Sequence, residues 1–229
     1  MKYTQIEEAR FINRPNRFIA EVSQNEVIFR VHVKNTGRCA ELLVPGCKVY
    51  LERSENPNRK TPCDLVAVEK GKLLINMDSA APNAAAGEWL EAGGIGKLDE
   101  IRPEYKLGDS RFDFYARRGK QKILVEVKGC TLEENGLAGF PDAPTLRGLK
   151  HVQELTQLSK EGWECYVLIV IQMKQVHTFR PNWKTQPAFG KALQKAEKAG
   201  VTVLAMDCLV TPGSMVIDKP VKVDLSDPC

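Results

Sequence analysis

The stretch "RFDFYARRGKQKILVEVKGC", Arg111–Cys130, decides the fold of the second half of the chain and raises its functional question. Two runs rich in β-branched and aromatic residues flank the turn-forming "RGKQ", which predicts a β-hairpin over 111–128. Yet Asp113, Glu126 and Lys128 stand inside the apolar runs, where a charge is costly. Side chains alternate along a strand, so Ile123, Val125 and Val127 point one way and Leu124, Glu126 and Lys128 the other. By the same rule Phe112 and Phe114 share a face, and Asp113 takes the opposite one. Closure through a four-residue loop, 118–121, sets Asp113 directly across from Glu126.

Two carboxylates so opposed repel each other unless a cation sits between them. Hard oxygen ligands suit Mg²⁺ or Mn²⁺, which need only a carboxylate or two from the protein and keep waters for the rest. An ion bound there activates water and neutralises charge developing on a phosphate. The ammonium of Lys128 is then placed to position the attacking water or to stabilise the transition state. Glu104, in "RPEYKLG", is a further candidate carboxylate. The same residues also admit a plainer reading, an exposed salt-bridged hairpin face of little energetic weight.

Working outward, residues 17–76 read as five short strands: "RFIAEV", "VIFRVHV", "CKVYLER", "CDLVAVE" and "KLLINM". Turn formers bound each of them, and the absence of a long helix suggests a small closed barrel such as an OB-fold. Residues 78–99 turn rich in Ala and Gly, with a short helix expected around Ala84 to Ala92 and a domain boundary near residue 80. The expected division is an OB-fold-like nucleic-acid-binding domain over 1–80 and an α/β domain over 81–229.

In that second domain the hairpin is followed by a Gly- and Pro-rich loop (133–144), then by a helix. Leu149, Val152, Leu155 and Leu158 recur at helical spacing, with Thr145 to cap the start and Gly162 to end it. "ECYVLIVIQ" has the unbroken apolar look of a strand buried on both faces. "PAFGKALQKAEKAG" is a helix with Pro187 in its first turn and Gly200 just past its end, and "VTVLAMD" is another buried strand. The order β-β-α-β-α-β describes an α/β domain with a mixed sheet.

The bulk numbers agree with a cytoplasmic globular protein: 229 residues, 43% hydrophobic, 27% charged, net charge +4. The start "MKYTQIEEARF" lacks the pattern of a signal peptide, and "CYVLIVI" is too short to span a bilayer. Seven cysteines, an odd number with no C-x-x-C pair, argue against a disulfide framework and a structural zinc site.

Several strings carry a more specific message. "HVKNTGRCAELLVPG", "RFDF", "VEVKGCTL" and "FPDAPTLRGLKHVQEL", in this order and spacing, closely resemble the sugar fermentation stimulation protein A family, over nearly the whole chain from "NRFIAEV" to "KAGVTVLAMD". The resemblance implies an OB-fold followed by a restriction-endonuclease-like domain of the PD-(D/E)xK type, and DNA as the partner. It implies that Glu104, Asp113, Glu126 and Lys128 occupy the nuclease motif. One departure is Thr185, near which the pattern has an acidic residue.

Further candidates are cations and turns. Arg147, Lys150 and His151 fall on the helix face opposite the leucines, as phosphate contacts or as a solvated face. Asn35, Thr36 and Arg38 in the "NTGR" turn are candidate nucleotide contacts of the barrel, with Gly37 supplying an unusual backbone angle. Arg10, Arg14, Arg17, Arg53, Arg59 and Lys60 give the barrel a basic supply. In "HTFRPNWK", Phe179, Arg180 and Trp183 combine rings with cations, a mix suited to single strands. His32 and His177 have no partner visible in sequence. The functional expectation is a Mg²⁺- or Mn²⁺-dependent DNA phosphodiesterase of little sequence specificity, acting on DNA that is single-stranded or structured. The alternative is a non-cleaving DNA-binding regulatory protein affecting sugar metabolism genes.

Overall fold

Six strands build the first sheet: β1 (Ile6–Asn16), β2 (Ile19–Gln24), β3 (Val27–Val33), β4 (Lys48–Arg53), β5 (Cys63–Lys70) and β6 (Leu73–Asn76). The computed structural model describes residues 1–35, 37–56 and 58–227. The sheet order is β3-β2-β1-β4-β5-β6, and a parallel pairing of β3 with β5 (His32↔Asp64, Val33↔Leu65) closes β1–β5 into a barrel, the OB-fold. Its interior is filled by alternate residues, among them Val22, Val31, Val49, Leu51, Leu65 and Val68, all fully buried. His32 stands at the closure, its Nδ1 2.9 Å from Asp64 Oδ1, so its role is to join barrel strands.

The barrel count needs one correction. Strand β1 was not among the five expected, and "KLLINM" is the sixth strand, a hairpin partner of β5 outside the ring. Only Ala9 and Phe11 of β1 are buried, and register shifts interrupt its pairing with β2, so no clean alternation marks it in sequence.

After β6 comes helix α1 (Ala81–Glu91), then β7 (Glu100–Leu107), β8 (Ser110–Arg118), β9 (Gln121–Cys130), β10 (Leu132–Glu134), β11 (Leu137–Phe140) and α2 (Leu146–Lys160). The chain continues through β12 (Glu164–Ile171), β13 (Thr178–Pro181), α3 (Pro187–Lys198), β14 (Thr202–Thr211), β15 (Ser214–Pro220) and β16 (Lys222–Val223). Six of these strands form a mixed sheet in the order β15-β14-β12-β9-β8-β7, with β9, β12 and β14 parallel. β12 lies in its middle and is buried as its apolar run requires. The Gly- and Pro-rich loop contains β10 and β11, which join β13 and β16 in a small separate sheet.

Helix α1 covers one face of the mixed sheet, packing Ala81, Ala85, Ala86 and Leu90 against Phe114, Val125 and Val127. Helices α2 and α3 cover the other, in a core continuous with the barrel interior. Helix α2 starts where expected: Thr145 Oγ1 accepts the Gly148 N–H at 3.0 Å. Gly162, just past its end, adopts φ +90°. Its buried line is Gly148, His151, Val152 and Leu155, so of the expected series Val152 and Leu155 are fully inside while Leu149 and Leu158 are half-buried against the same core. Burial pushes the Cys39, Cys130, Cys165 and Cys208 thiols up to about 12, and the six described cysteines are unpaired. Among the described residues no helix is long and apolar enough to cross a membrane.

Candidate functional site

The hairpin β8–β9 is paired from Phe114↔Val125 to Arg118↔Gln121, around a tight turn with Gly119 at φ +58°. One more step of this register sets residue 113 against 126, as the sequence implies. The ladder stops just short of that step. There β8 leaves β9, and the N–H of Val127 donates to Asp113 Oδ2 at 2.7 Å in place of a backbone carbonyl. This break also separates two phenylalanines expected on one face. Phe112 packs toward α2, its ring 5.5 Å from that of His151, while Phe114 packs under α1.

Asp113 is held from a second side. Asn83, on α1, donates to Asp113 Oδ1 at 2.8 Å. Glu126 is 2% exposed and receives two donors on a single oxygen: His151 Nδ1 lies 2.5 Å from Oε1, and Lys128 Nζ pairs with the same atom. The other oxygen, Oε2, is buried with no hydrogen-bond partner among the described residues. Burial, then the charge of Glu126, push the Asp113 carboxyl above its usual range, against the pull of the Val127 N–H, Lys128 and Asn83. For Glu126, burial acts upward, but the His151 hydrogen bond and the Lys128 charge outweigh it and hold the carboxyl down. Glu126 is therefore ionised and the His151 Nδ1–H donates to it.

Asp113, Glu126 and Lys128 thus come together, and His151 joins them in a role unlike the one expected. It is 4% exposed and orients Glu126, because the sheet packs on the Gly148–Leu155 line and His151 belongs to that line. Arg147 and Lys150 stay on the exposed face, Lys150 3.5 Å from Glu154. Glu104 does not join: it is exposed at φ +54° and pairs with Arg111 at 2.9 Å. Asn83 was the residue that sequence reasoning missed. An Asn one position after Pro82 in an Ala-rich helix carries no signal until that helix is docked on β9.

Other candidates are reassigned by their contacts. Arg180 pairs with Asp224 at 2.5 Å, Phe179 is fully buried and Trp183 is 7% exposed, so the expected single-strand platform is a packed segment. Arg53 pairs with Glu7 and Arg59 with Asp64. Arg14 does not face outward either: its guanidinium donates to the carbonyls of Arg17, Asn35, Gly37 and Arg38 and so shapes the "NTGR" turn. In that turn Asn35 Oδ1 accepts the Gly37 N–H at 2.8 Å and Arg38 is exposed, whereas Thr36 lies outside the described residues. Gly37 has an ordinary φ. What it requires is space, since a Cβ there would fall 2.3 Å from Asp142 Oδ2.

A divalent cation fits this centre on two counts. Glu126 Oε2 is a buried acceptor without a donor, and the second hard carboxylate beside it bears a raised pKa that a positive charge would relieve. Among the described residues no group of three or more His, Cys, Asp or Glu converges as a cage. The donor set therefore suits an ion that keeps several waters, as Mg²⁺ does.

Family-level comparison matches residues 80–214 to "Sugar fermentation stimulation protein RE domain" and residues 12–77 to "SfsA N-terminal OB domain". A sugar fermentation stimulation protein homolog of Desulfitobacterium hafniense is 54% identical over 215 residues, 94% of each chain. The chain belongs to the sugar fermentation stimulation protein family. Another family member, the homolog of Ruminiclostridium cellulolyticum, is 50% identical over 226 residues, 98% of this chain and 100% of its own. The structure of Pyrococcus furiosus SfsA in complex with Ca²⁺ matches with a TM-score of 0.88 at 27% identity, covering 98% of both chains. The family resemblance read from the residues holds along the chain, and the OB-fold followed by an α/β domain is the family architecture.

Proposed function

We propose that this protein binds DNA and hydrolyses its phosphodiester bonds at the β8–β9 centre, with Mg²⁺ or Mn²⁺ held by Asp113 and Glu126. The observation that carries the reading is the open acceptor Glu126 Oε2, buried beside a second carboxylate and a lysine. A relative of the same fold was solved with Ca²⁺, a hard divalent cation of the same ligand preference. Asn83 and the Val127 N–H aim Asp113, and His151 fixes the rotamer of Glu126, so both carboxylates are pre-set. The bound ion would activate water and offset negative charge on the phosphate. Lys128 Nζ, then turned from Glu126 toward the phosphate, stabilises the charge that develops as water attacks. Exposed Arg38, Arg147 and Lys150 supply phosphate contacts that hold the strand.

The competing reading, a DNA-binding regulatory protein that does not cut and that affects sugar metabolism genes, draws on two observations. Lys128 and His151 already engage Glu126, and Glu104 stands apart, paired with Arg111. Incubating the purified chain with Mg²⁺ or Mn²⁺ and labelled single-stranded, double-stranded and branched DNA separates the two. Cleavage that stops on chelation supports the enzyme. A folded protein that binds Mn²⁺ by calorimetry, retards DNA and cuts none of these forms supports the regulator.

A further inference from the structure

The two most distinctive strings of the sequence, "NTGR" and "FPDA", are about a hundred residues apart and meet in the fold. The contact is close: Asp142 Oδ2 occupies the space that a side chain on Gly37 would need. Between the two turns lies a cavity of about 130 Å³, whose walls include Asn35, Pro82, Gly129, Phe140, Asp142 and Gln172. Pro82 lines it and precedes Asn83, the residue that holds Asp113, so the cavity lies beside the Asp113 side of the proposed centre, on the face of β9 opposite the Lys128 side chain. Gly129 keeps it open, because a Cβ there would lie 2.6 Å from Gln172 Oε1 and 2.6 Å from Pro82.

The chemistry of the walls narrows the ligand. Gln172 is 2% exposed and donates its amide N–H groups to the Asn76 carbonyl, Asn76 Oδ1 and the Asp78 carbonyl, at 3.0, 3.0 and 3.2 Å. These bonds fix which atom is the oxygen and turn Oε1 toward Gly129, where no described residue donates to it. The Asp142 carboxylate likewise accepts no hydrogen bond from the described residues. Two acceptors without a donor among the described residues, one of them anionic, repel a phosphate and select a group with N–H donors. Pro82 and Phe140 add apolar surface of the kind that holds a planar ring.

We infer that this cavity is a base-recognition subsite, which takes a nucleobase bearing an exocyclic amine beside the proposed centre. Cytosine is the best match, since its N4 amine donates to carboxylates, whereas thymine presents only an acceptor and a methyl at that position. A base turned out of its stack is read in this way, by hydrogen bonds to its edge and by contact with its face. The inference rests on the DNA-binding reading above and adds to it a preference at one position.

Fluorescence anisotropy of labelled eight-nucleotide oligo(dC) and oligo(dT), in Ca²⁺ and with strand integrity checked on a gel, tests it. The wild type should bind oligo(dC) more tightly. Asp142→Ala should weaken oligo(dC) binding about tenfold, as loss of one hydrogen bond to a charged acceptor does, and leave oligo(dT) nearly unchanged. Asp142→Asn, which keeps the shape and adds a donor, should shift the preference toward oligo(dT). Thermal unfolding of each variant shows whether the turns remain packed. Equal binding of both strands by the wild type overturns the subsite and leaves DNA binding intact, as does an equal loss on both strands in a folded Asp142→Ala. Binding of neither strand removes the DNA reading and the subsite with it.

Discussion

Two clusters on the mixed sheet have the same ingredients, a lysine and two carboxylates, and opposite characters. At the β14–β15 end, Lys174 Nζ lies 2.7 Å from Asp207 Oδ2 and 2.6 Å from Asp218 Oδ2. Asp207 Oδ1 accepts the Lys219 N–H at 2.8 Å. Burial pulls the Lys174 pKa down, but its two carboxylate partners outweigh that and raise it. This cluster closes on itself. At the β8–β9 centre Lys128 pairs, among the described residues, with Glu126 alone, Glu126 Oε2 has no donor among them, and Asp113 is pushed toward its protonated form. Composition therefore does not tell a structural ion cluster from a candidate catalytic one. What separates them is whether every buried acceptor has its donor, because an open acceptor has the full cost of desolvation unrelieved until a ligand arrives.

The largest test of this contrast is removal of each lysine. Lys128→Met should lower Mg²⁺-dependent cleavage by about two to three orders of magnitude while the protein still retards DNA in a gel. Cleavage equal to the wild type would end the role given to Lys128. Asn83→Ala comes next. Losing the group that aims Asp113 should weaken Mn²⁺ binding about 10- to 100-fold by calorimetry, and an unchanged affinity would reduce Asn83 to helix packing.

Lys174→Met should leave cleavage and Mn²⁺ affinity untouched. It should lower stability by about 1 kcal/mol, between an exposed and a buried pair, or about 2–4 °C in melting temperature. An effect on cleavage would erase the distinction between the clusters.

The smallest effect concerns pH. Asp113 has a folded pKa above its unfolded value, so the native state holds the proton more tightly and stability falls as pH rises from the unfolded carboxyl range through the folded pKa. Asp113→Asn removes that loss. Without divalent ions it should raise the melting temperature at pH 7 and leave it nearly unchanged near pH 3, where both states are largely protonated. A gain of equal size at both pH values would mean that charge is not the cause. Added Mn²⁺ should reverse the order by stabilising only the wild type.

Much of this was legible in the residues because it depends on local rules. The hairpin follows from period-two alternation around one turn, which put Glu126 and Lys128 on one face with Asp113 close by, although the ladder ends before the expected 113–126 pair and Asp113 bonds the Val127 N–H instead. The ends of α2 and α3 follow from Thr145, Gly162, Pro187 and Gly200, whose backbone preferences act wherever the helix packs. The run at 164–171 could only be buried on both faces. Strand β1 escaped because its ladder is bulged and its buried residues are just Ala9 and Phe11.

Long-range packing decided the rest. Helical periodicity put His151 among solvated cations, and the fold turned it inward because it lies on the same helix line as Gly148, Val152 and Leu155 and reaches Glu126. Arg180 and Arg53 looked available as cations until the fold supplied Asp224 and Glu7 as partners. Asn83, Gln172 and Asp142 acquire their roles from neighbours 30, 96 and 105 residues away, respectively Asp113, Asn76 and Gly37. The sequence by itself determined the main helices, the central strands and which charges share the hairpin. Only the tertiary structure decided which of those charges are satisfied, because a donor reaches its acceptor through space, and the sequence order of the two says nothing of that distance.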